Sequence, residues 1–279
     1  MRTITYKAIS GLRAMLIEEE RSAATVEKYI REATEFAVWL GERALCREAV
    51  NEWKNKLLAD GLMPQTVNGK LSSVNSLLRF LGREDCRSRT LRIQQQVFRS
   101  EERELTREEY KKLVNAARRL KNRKLELILE TLCSGGMRVS ELGFITVEAV
   151  RSRSVTVRQK GKCRTILLPN QLTRKLELYA KEQGISSGRI FITRTGREMN
   201  RRQIWAEMKK LCGIAGVAPS KVFPHNLRHL FATEFYRVSK DIAKLADILG
   251  HSSISTTRRY LISTGAEHRE LMEEMRLIS

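Results

Sequence analysis

Residues 224–260 read PHNLRHLFATEFYRVSKDIAKLADILGHSSISTTRRY, and this stretch organises the second half of the chain. Its apolar residues recur at helical intervals, which predicts one helix from Asn226 and another from Asp241. His225 and Arg228 are three positions apart at the start of the first helix and therefore share one face. Two basic side chains on one face can reach the same phosphate.

The second predicted helix ends at Leu249, and Gly250 occupies the position where a left-handed C-cap is expected. His251 then lies on a fixed turn, and Ser253 offers an N-cap for the following segment. Tyr260 stands nine positions after His251. A tyrosine placed there can attack a group that the histidines and the arginine hold.

The charge of the chain indicates a partner with many phosphates. The 279 residues include 52 Lys and Arg against 32 Asp and Glu, a net charge of +20. Residues 1–100 carry 17 basic and 12 acidic side chains, so most of the excess lies in residues 101–279. Nucleic acid is the leading candidate, although charge alone does not distinguish an enzyme from a structural binding protein.

The cysteines are odd in number and none are paired as C-x-x-C, which argues against both a disulfide framework and a zinc ribbon. They are Cys46, Cys86, Cys133, Cys163 and Cys212. No apolar run approaches the roughly 18–20 residues that a membrane helix needs. We therefore expect a cytoplasmic, nucleoid-associated protein without a membrane partner.

The first 82 residues have the pattern of a small helical domain. Helices are predicted before residue 20, at 23–40 after a cap at Ser22, at 47–59, and from Pro64 towards Phe80. A polar stripe of this domain can touch phosphates, and a solvated helix face explains each of its members equally well. The stripe consists of Thr25, Lys28, Thr66, Asn68 and Lys70.

Residues 83–104 are charged and aperiodic, and we interpret them as a linker to a second domain at 105–279. Thr106, with Glu109 three residues later, predicts a helix-capping box at the start of this domain. Helices are predicted at 107–119, 123–133 and 171–183, and from 139, 201, 226, 241, 253 and 266.

A β-hairpin is predicted between Ser154 and Leu168, where β-branched residues alternate around the turn Lys160-Gly161-Lys162. The hairpin carries lysines at its tip. A further short strand is predicted at 190–192.

These motifs resemble those of the tyrosine recombinases, the integrase, Xer and Cre group. Residues 136–142, GMRVSEL, are similar to the family's first arginine box, and HNLRH at 225–229 is similar to its second. LGHSS at 249–253 and Tyr260 match the remainder, and the helices at 25–40 and 66–81 look like the family's core-binding domain. The resemblance implies a mainly α fold with a small β-sheet, in which an N-terminal helical, SAM-like core-binding domain precedes a mixed α/β catalytic domain.

The resemblance also implies a six-residue site with a tyrosine nucleophile. Its members are Arg138, Lys160, His225, Arg228, His251 and Tyr260. The hairpin lysine is the weakest match, because the family's turn is of the G-K-G type and here the sequence is QKGKCR. Lys160 is preferred for the glycine that follows it, and Lys162 is the alternative.

The chemistry gives each member a role. Attack of a tyrosine on a phosphodiester adds negative charge to the phosphate, which Arg138 and Arg228 can meet with paired hydrogen bonds. Tyrosine has an ordinary pKa of about 10, so a base such as His225 must take its proton. Lys160 would give a proton to the departing 5′-oxygen, and His251 would hydrogen-bond the phosphate. Glu141 would orient an arginine or His225.

The resemblance further implies a 3′-phosphotyrosyl intermediate, which conserves the bond energy and requires neither ATP nor a metal cofactor. Paired sites on double-stranded DNA and a homotetramer assembled on them are the implied partners, and an accessory DNA-bending factor is left open. A C-terminal tail helix with apolar residues Leu271, Met272, Met275 and Leu277 would dock on its own domain or on a neighbour. Further predicted DNA contacts are Lys162, Arg201, Arg202 and Arg258.

Several alternatives stay open at this point. The biological event is predicted to be integration or excision of a mobile element, with dimer resolution of the Xer kind as the alternative. A type IB topoisomerase shares the chemistry, and a non-catalytic DNA-binding regulator shares the composition. Zinc binding by His225 and His229 is disfavoured because the pair lacks the glutamate of H-E-x-x-H.

Overall fold

The computed structural model describes residues 4–93, 103–159, 162–260 and 272–275. The chain divides into two units, Met1–Gln95 and Gln96–Ser279. Both are mainly helical, and the strands of the described residues form one two-stranded sheet, which confirms the predicted fold class. Within these residues no helix is both long and apolar enough to cross a membrane.

Residues 4–93 of the first unit form four α-helices: α1 (Tyr6–Glu18), α2 (Ala23–Leu40), α3 (Arg47–Ala59) and α4 (Pro64–Phe80). Ser22 caps α2 as predicted, since its side chain accepts a hydrogen bond from the Thr25 amide. One apolar face of each helix is buried in a common core around Phe36 and Trp53, whose rings meet edge to face at 5.1 Å.

Residues 84–93 pack against this helical unit. A 3-10 turn at Glu84–Cys86 is followed by a segment that Asn68 of α4 holds with both halves of its amide: Nδ2 donates to the Leu91 carbonyl at 2.9 Å and Oδ1 accepts from the Leu91 amide at 2.7 Å. The Asn75 side chain donates to the Ser88 carbonyl at 3.1 Å. The assignment of 83–104 as the linker stays a prediction.

Residues 103–260 of the second unit contain eight helices and the sheet. Its larger helices are α5 (Arg107–Arg119), α6 (Arg123–Ser134), α8 (Asn170–Glu182), α9 (Arg201–Ala215) and α10 (Pro224–Ser239). The shorter ones are α7 (Val147–Arg151), α11 (Ile242–Leu249) and α12 (Ile254–Arg258), and 3-10 turns lie at Val139–Phe144 and Pro219–Lys221. Strands β1 (Ser154–Gln159) and β2 (Lys162–Leu167) pair antiparallel.

Helix α6 is central to this unit, because consecutive residues Leu127, Ile128 and Leu129 are all fully buried. Helix α5 begins with the predicted capping box of Thr106 and Glu109. Helix α11 ends at Gly250 in the left-handed region, with φ of 64°, as expected for its C-cap.

Two predicted elements differ in the structure. The helix expected from Val139 is a 3-10 turn of six residues, in which Glu141 caps the Arg138 amide before the chain enters α7. The strand expected at 190–192 is wrong: Ile192 forms an isolated bridge with Glu198, and the apolar side chains of this stretch pack into the core instead of extending the sheet. The helix predicted from Ala266 lies largely outside the described residues.

Candidate active site

The first turn of α10 supplies two of the predicted site residues and directs them differently. Pro224 occupies the first helical turn, where its missing N–H costs no hydrogen bond. The His225 side chain is exposed, whereas Arg228 is only 1% exposed. Arg228 Nη1 donates to the Gly136 carbonyl at 2.6 Å and Nη2 to the Leu249 carbonyl at 2.7 Å. The guanidinium therefore joins the turn before Arg138 to the end of α11.

Position 136 requires glycine. Its φ is +56°, and a Cβ at this position would overlap the ring of Phe231 on α10. This close approach brings the carbonyl of residue 136 to Arg228 and fixes where the next residues emerge. Arg138 follows two positions later, with its side chain 43% exposed.

Glu141 orients Arg138. The carboxylate Oε2 accepts a hydrogen bond from the Arg138 amide at 2.7 Å, and Oε1 accepts one from Arg138 Nη1 at 3.0 Å. Burial raises the pKa of Glu141, but the Arg138 amide and the guanidiniums of Arg164 and Arg138 outweigh burial and leave the pKa below its ordinary value. The carboxylate is thus charged at neutral pH, as the expected orienting role requires.

His251 lies on the turn after α11 and is held at both ring nitrogens. Nε2 is 3.0 Å from Arg228 Nη2, and Nδ1 is 2.9 Å from the hydroxyl of the buried Thr257. A guanidinium only donates, so Nε2 accepts and the proton is assigned to Nδ1, which donates to Thr257. In this arrangement His251 is neutral, and its donation to a phosphate stays a prediction.

The site is electropositive. Burial is the largest cause that lowers the pKa of His251 to about 4, and the charges of Arg228 and Arg138 act in the same direction. Burial and the charge of Arg138 lower the pKa of Arg228 to about 10, although a hydrogen bond with Tyr260 opposes them. Arg228 therefore stays charged at neutral pH in a place that repels further positive charge.

Tyr260 packs among three histidine rings. Its ring stacks on His251 at a centroid distance of 5.7 Å and an angle of 10°, and it lies 5.7 Å from His225 and 5.2 Å from His229. The residue is 7% exposed, and the Thr233 hydroxyl donates to its carbonyl at 3.5 Å. The Tyr260 side chain hydrogen-bonds to Arg228, and its ring lies against imidazoles that could hold a phosphate or accept a proton.

Arg164 of β2 is part of this arrangement and was missed by the sequence reasoning. Its Nη2 donates to Glu141 Oε2 at 2.6 Å, and its side chain is 11% exposed. The alternation of side chains along β2 could have revealed this position. Cys163 and Thr165 are exposed, so Arg164 lies on the same inner face as the buried Ile166. Thr257, which binds His251, carried no comparable signal.

The structure brings together Arg138, His225, Arg228, His251 and Tyr260, with Glu141 in support. Lys160 lies outside the described residues. Lys162 pairs with Gln159 at the start of β2, and its side chain, like Lys160, is not among the parts of the chain that the structure describes. The role of the hairpin lysine stays a prediction.

The predicted DNA-contacting residues differ in their exposure and in their local contacts. Lys28, Thr66, Arg201, Arg202 and Arg258 have exposed side chains. The Lys70 ammonium pairs with Glu35, Thr25 lies 2.8 Å from the Ser22 hydroxyl, and the Asn68 amide is occupied by Leu91. Their contacts with DNA stay predictions.

Comparison with known proteins assigns the chain to a family. Residues 103–267 match the phage integrase family, and residues 11–85 match the phage integrase N-terminal SAM-like domain. The chain belongs to the phage integrase family and is a tyrosine-type site-specific DNA recombinase. The resemblance inferred from the motifs is thereby confirmed.

The relatives include Xer recombinases. The chain is 29% identical over 286 residues to tyrosine recombinase XerA of Pyrococcus furiosus, covering 99% of this chain and 96% of that protein. It is 26% identical over 269 residues to tyrosine recombinase XerD of Vibrio cholerae, covering 89% of each.

Solved structures share the fold. A lambda integrase dimer bound to a COC′ core site has a TM-score of 0.72 at 15% identity and covers 92% of this chain and 94% of that chain. The Tn1549 transposon integrase in complex with transposon right end DNA has a TM-score of 0.70 at 15% identity, with coverage of 97% and 99%.

Proposed function

We propose that the chain cleaves one strand of duplex DNA by attack of the Tyr260 hydroxyl on a phosphodiester. The new bond joins the phosphorus to the tyrosine oxygen, the bond to the 5′-oxygen breaks, and a 5′-hydroxyl from a second strand reverses the attack. The observation that carries the proposal is the placement of Tyr260 in a buried cluster against His251 and beside the Arg228 guanidinium. An isolated packing tyrosine would not need charged groups at its hydroxyl.

The positive charge of the site matches a phosphate. Burial, followed by the positive charges of neighbouring arginines, lowers the pKa values of Arg228 and His251, and the buried arginine charges repel one another. A bound phosphate relieves that repulsion, and the added charge of the pentacoordinate transition state relieves it more. The same phosphate favours a proton on His251, so substrate binding would convert its neutral ring into the donor that the sequence predicted.

Proton transfer completes the reaction. The tyrosine O–H must lose its proton during attack, and the exposed His225 ring, 5.7 Å from the Tyr260 ring, is our candidate acceptor. The departing 5′-oxygen takes a proton from the hairpin lysine, for which Lys160 is preferred to Lys162. We assign no step to a metal ion or to a nucleotide cofactor.

The proposed partner is double-stranded DNA with paired sites, bound by a homotetramer. The net charge of +20 supports a polyanionic partner whose binding weakens as salt rises. Exposed Arg201, Arg202 and Arg258 are proposed phosphate contacts of the catalytic unit. Lys28 and Thr66 are proposed contacts of the helical unit. An accessory DNA-bending factor would add to this assembly.

The biological event is a separate question from the reaction. The sequence alone favours movement of a mobile element. The match to XerA over 99% of this chain and 96% of that protein favours the other candidate, resolution of chromosome or plasmid dimers. A target site at the ends of an element would support the first role, and a single chromosomal site would support the second.

Covalent capture tests the reaction and finds the target site together. Purified protein is incubated with fragmented genomic DNA of its source, and DNA linked to protein is recovered after denaturation in detergent. The recovered site is then built into a nicked duplex from which the short 5′-hydroxyl fragment diffuses away, so the adduct accumulates. We expect an adduct with the wild type and none with Tyr260→Phe, which keeps the ring but lacks the nucleophile.

Two further outcomes separate the alternatives. Efficient relaxation of supercoiled plasmid that lacks the recovered site would favour a type IB topoisomerase. Sequence-specific binding without any adduct would favour a non-catalytic regulator.

A further inference from the structure

We infer that Arg164 is a positioning residue that ties strand β2 to Arg138 and to the turn of His251. The inference rests on the proposed cleavage reaction, since Arg164 would act by holding the groups that bind the phosphate. It assigns a function to a hairpin arginine that stands outside the six-residue site.

One guanidinium connects three segments that are distant in sequence. Arg164 Nη2 donates to Glu141 Oε2 at 2.6 Å, and Nη1 donates to the carbonyl of Ile248 at 2.7 Å. The two acceptors lie 23 and 84 positions away from Arg164. The planar fork of an arginine holds donors on two nitrogens in a fixed relation, whereas a lysine carries its donors on a single nitrogen at the end of a flexible stem.

The hydrogen bond from Arg164 to Glu141 affects the position of Arg138. Glu141 is 1% exposed and is shared between Arg164 and Arg138, which it binds through both the backbone amide and Nη1. Without Arg164, the Glu141 carboxylate loses its shortest hydrogen bond and keeps only its two bonds to Arg138. Arg138, which is 43% exposed, would then lose the fixed direction that a phosphate contact needs.

The hydrogen bond from Arg164 to Ile248 affects the position of His251. Ile248 is in the last turn of α11, three residues before His251, and the Gly250 α-carbon lies against Arg164, where an added Cβ would overlap Arg164 Cδ. The strand and the turn are therefore packed together through the arginine stem as well as its hydrogen bond. This packing sets where the His251 ring meets Tyr260.

A change of substrate charge distinguishes such positioning from a general loss of structure. A methylphosphonate at the cleavage position replaces one non-bridging oxygen by a methyl group and removes the negative charge that Arg138 and His251 would bind. A variant that is defective only in meeting that charge recovers on this substrate. A variant that is poorly folded is equally slow on both substrates.

The experiment compares single-turnover cleavage of two nicked duplexes by the full chain, one with a phosphodiester and one with a methylphosphonate at the recovered site. We expect Arg164→Met to cleave the phosphodiester about 10- to 100-fold more slowly than the wild type, the usual effect of losing a partner that orients a ligand. On the methylphosphonate, Arg164→Met should be slower than the wild type by about 3-fold or less. The methyl group removes the negative charge, so cleavage no longer depends on donors that are oriented to meet that charge. Arg158→Met, which removes the same charge from the exposed face of β1, is the matched control and should cleave both like the wild type.

Three results overturn the inference. They are a wild-type rate for Arg164→Met, an equal deficit on both substrates with unchanged thermal unfolding, and a defect in Arg158→Met as large as that in Arg164→Met. If Arg164→Met does not fold, Arg164→Gln takes its place, since its shorter, uncharged amide does not reach both acceptors and should give the same substrate-dependent deficit. The same three results then apply to Arg164→Gln. A wild-type chain that forms no adduct overturns the proposed function itself, whereas an active wild type with a fully active Arg164 variant overturns the positioning role alone.

Discussion

Arg228 Nη2 lies 3.0 Å from His251 Nε2, so the buried guanidinium donates to the imidazole and holds it in the neutral form. Two groups that are proposed to bind the same phosphate are thus bound to each other in this structure. A phosphate that enters the site competes for Arg228 and, by its charge, makes a proton on His251 favourable. We therefore expect binding of DNA and protonation of this histidine to be coupled.

The neutral His251 gives stability a specific dependence on pH. Its folded pKa is about 4, below the value of 6.5 expected for the unfolded chain. As pH falls the unfolded chain takes up the proton first, so this contribution is present above about pH 6.5 and is lost as pH falls towards 4. We predict that the melting temperature of the wild type falls more steeply over this window than that of His251→Gln. Parallel curves for the two proteins would contradict the assignment.

Gly250 is predicted to tolerate no side chain while Arg164 is in place. Gly250 and Gly184 both have positive φ, 64° and 67°, but a Cβ at Gly184 would enter open space whereas one at Gly250 would overlap Arg164. Gly184→Ala should cost about 1 kcal/mol of unfolding free energy from backbone strain alone, and Gly250→Ala about 2–3 kcal/mol. In an Arg164→Ala background, Gly250→Ala should cost no more than Gly184→Ala. Denaturant unfolding measures these values, and an unchanged cost in that background argues against the contact.

Glu141 and Arg164 should act as one unit in cleavage. Glu141→Gln keeps the shape of the side chain but removes the charge that holds Arg164 and Arg138, and we expect cleavage about 10- to 100-fold slower. The Glu141→Gln, Arg164→Met double variant should be little slower than either single variant, because both changes break the same connection. Single-turnover rates on the nicked phosphodiester substrate give the comparison. Multiplicative losses would show that the two residues act separately.

Asn68 is predicted to stabilise the helical unit by holding residue 91. Asn68→Ala removes both hydrogen bonds with Leu91 and should cost about 1–2 kcal/mol of unfolding free energy. Hydrogen exchange should become faster at the Leu91 amide while the buried amides of α2 keep their protection. Gln65→Ala, an exposed change on the same helix, is the control. Unaltered exchange at Leu91 would show that the asparagine is dispensable for this contact.

The helices could be predicted closely because their periodicity and caps are local properties. Ser22, the Thr106 and Glu109 pair, and Gly250 each cap a helix where the sequence indicated. The strand predicted at 190–192 is wrong because a short apolar run has the same sequence pattern whether it pairs in a sheet or packs into a core. Here it is buried without a neighbouring strand to extend.

The candidate site was predictable where its residues lie in recognisable motifs, and less so where contacts are made across the fold. Arg164 and Thr257 lack a motif of their own, and their partners lie on other elements: Glu141 and Ile248 for the arginine, His251 for the threonine. Spacing in the sequence carries no information on such pairs. Only the inward position of Arg164 on a half-buried strand could have drawn attention to it.

The identity of the residue that carries the DNA tests the account most directly. The adduct on the nicked duplex is digested with a protease and a nuclease, and the peptide that retains a nucleotide is sequenced by mass spectrometry. We predict a nucleotide 3′-phosphate linked to the Tyr260 oxygen, and no modified peptide from Tyr260→Phe. An adduct on any other residue, or one that persists in Tyr260→Phe, would contradict the proposed mechanism.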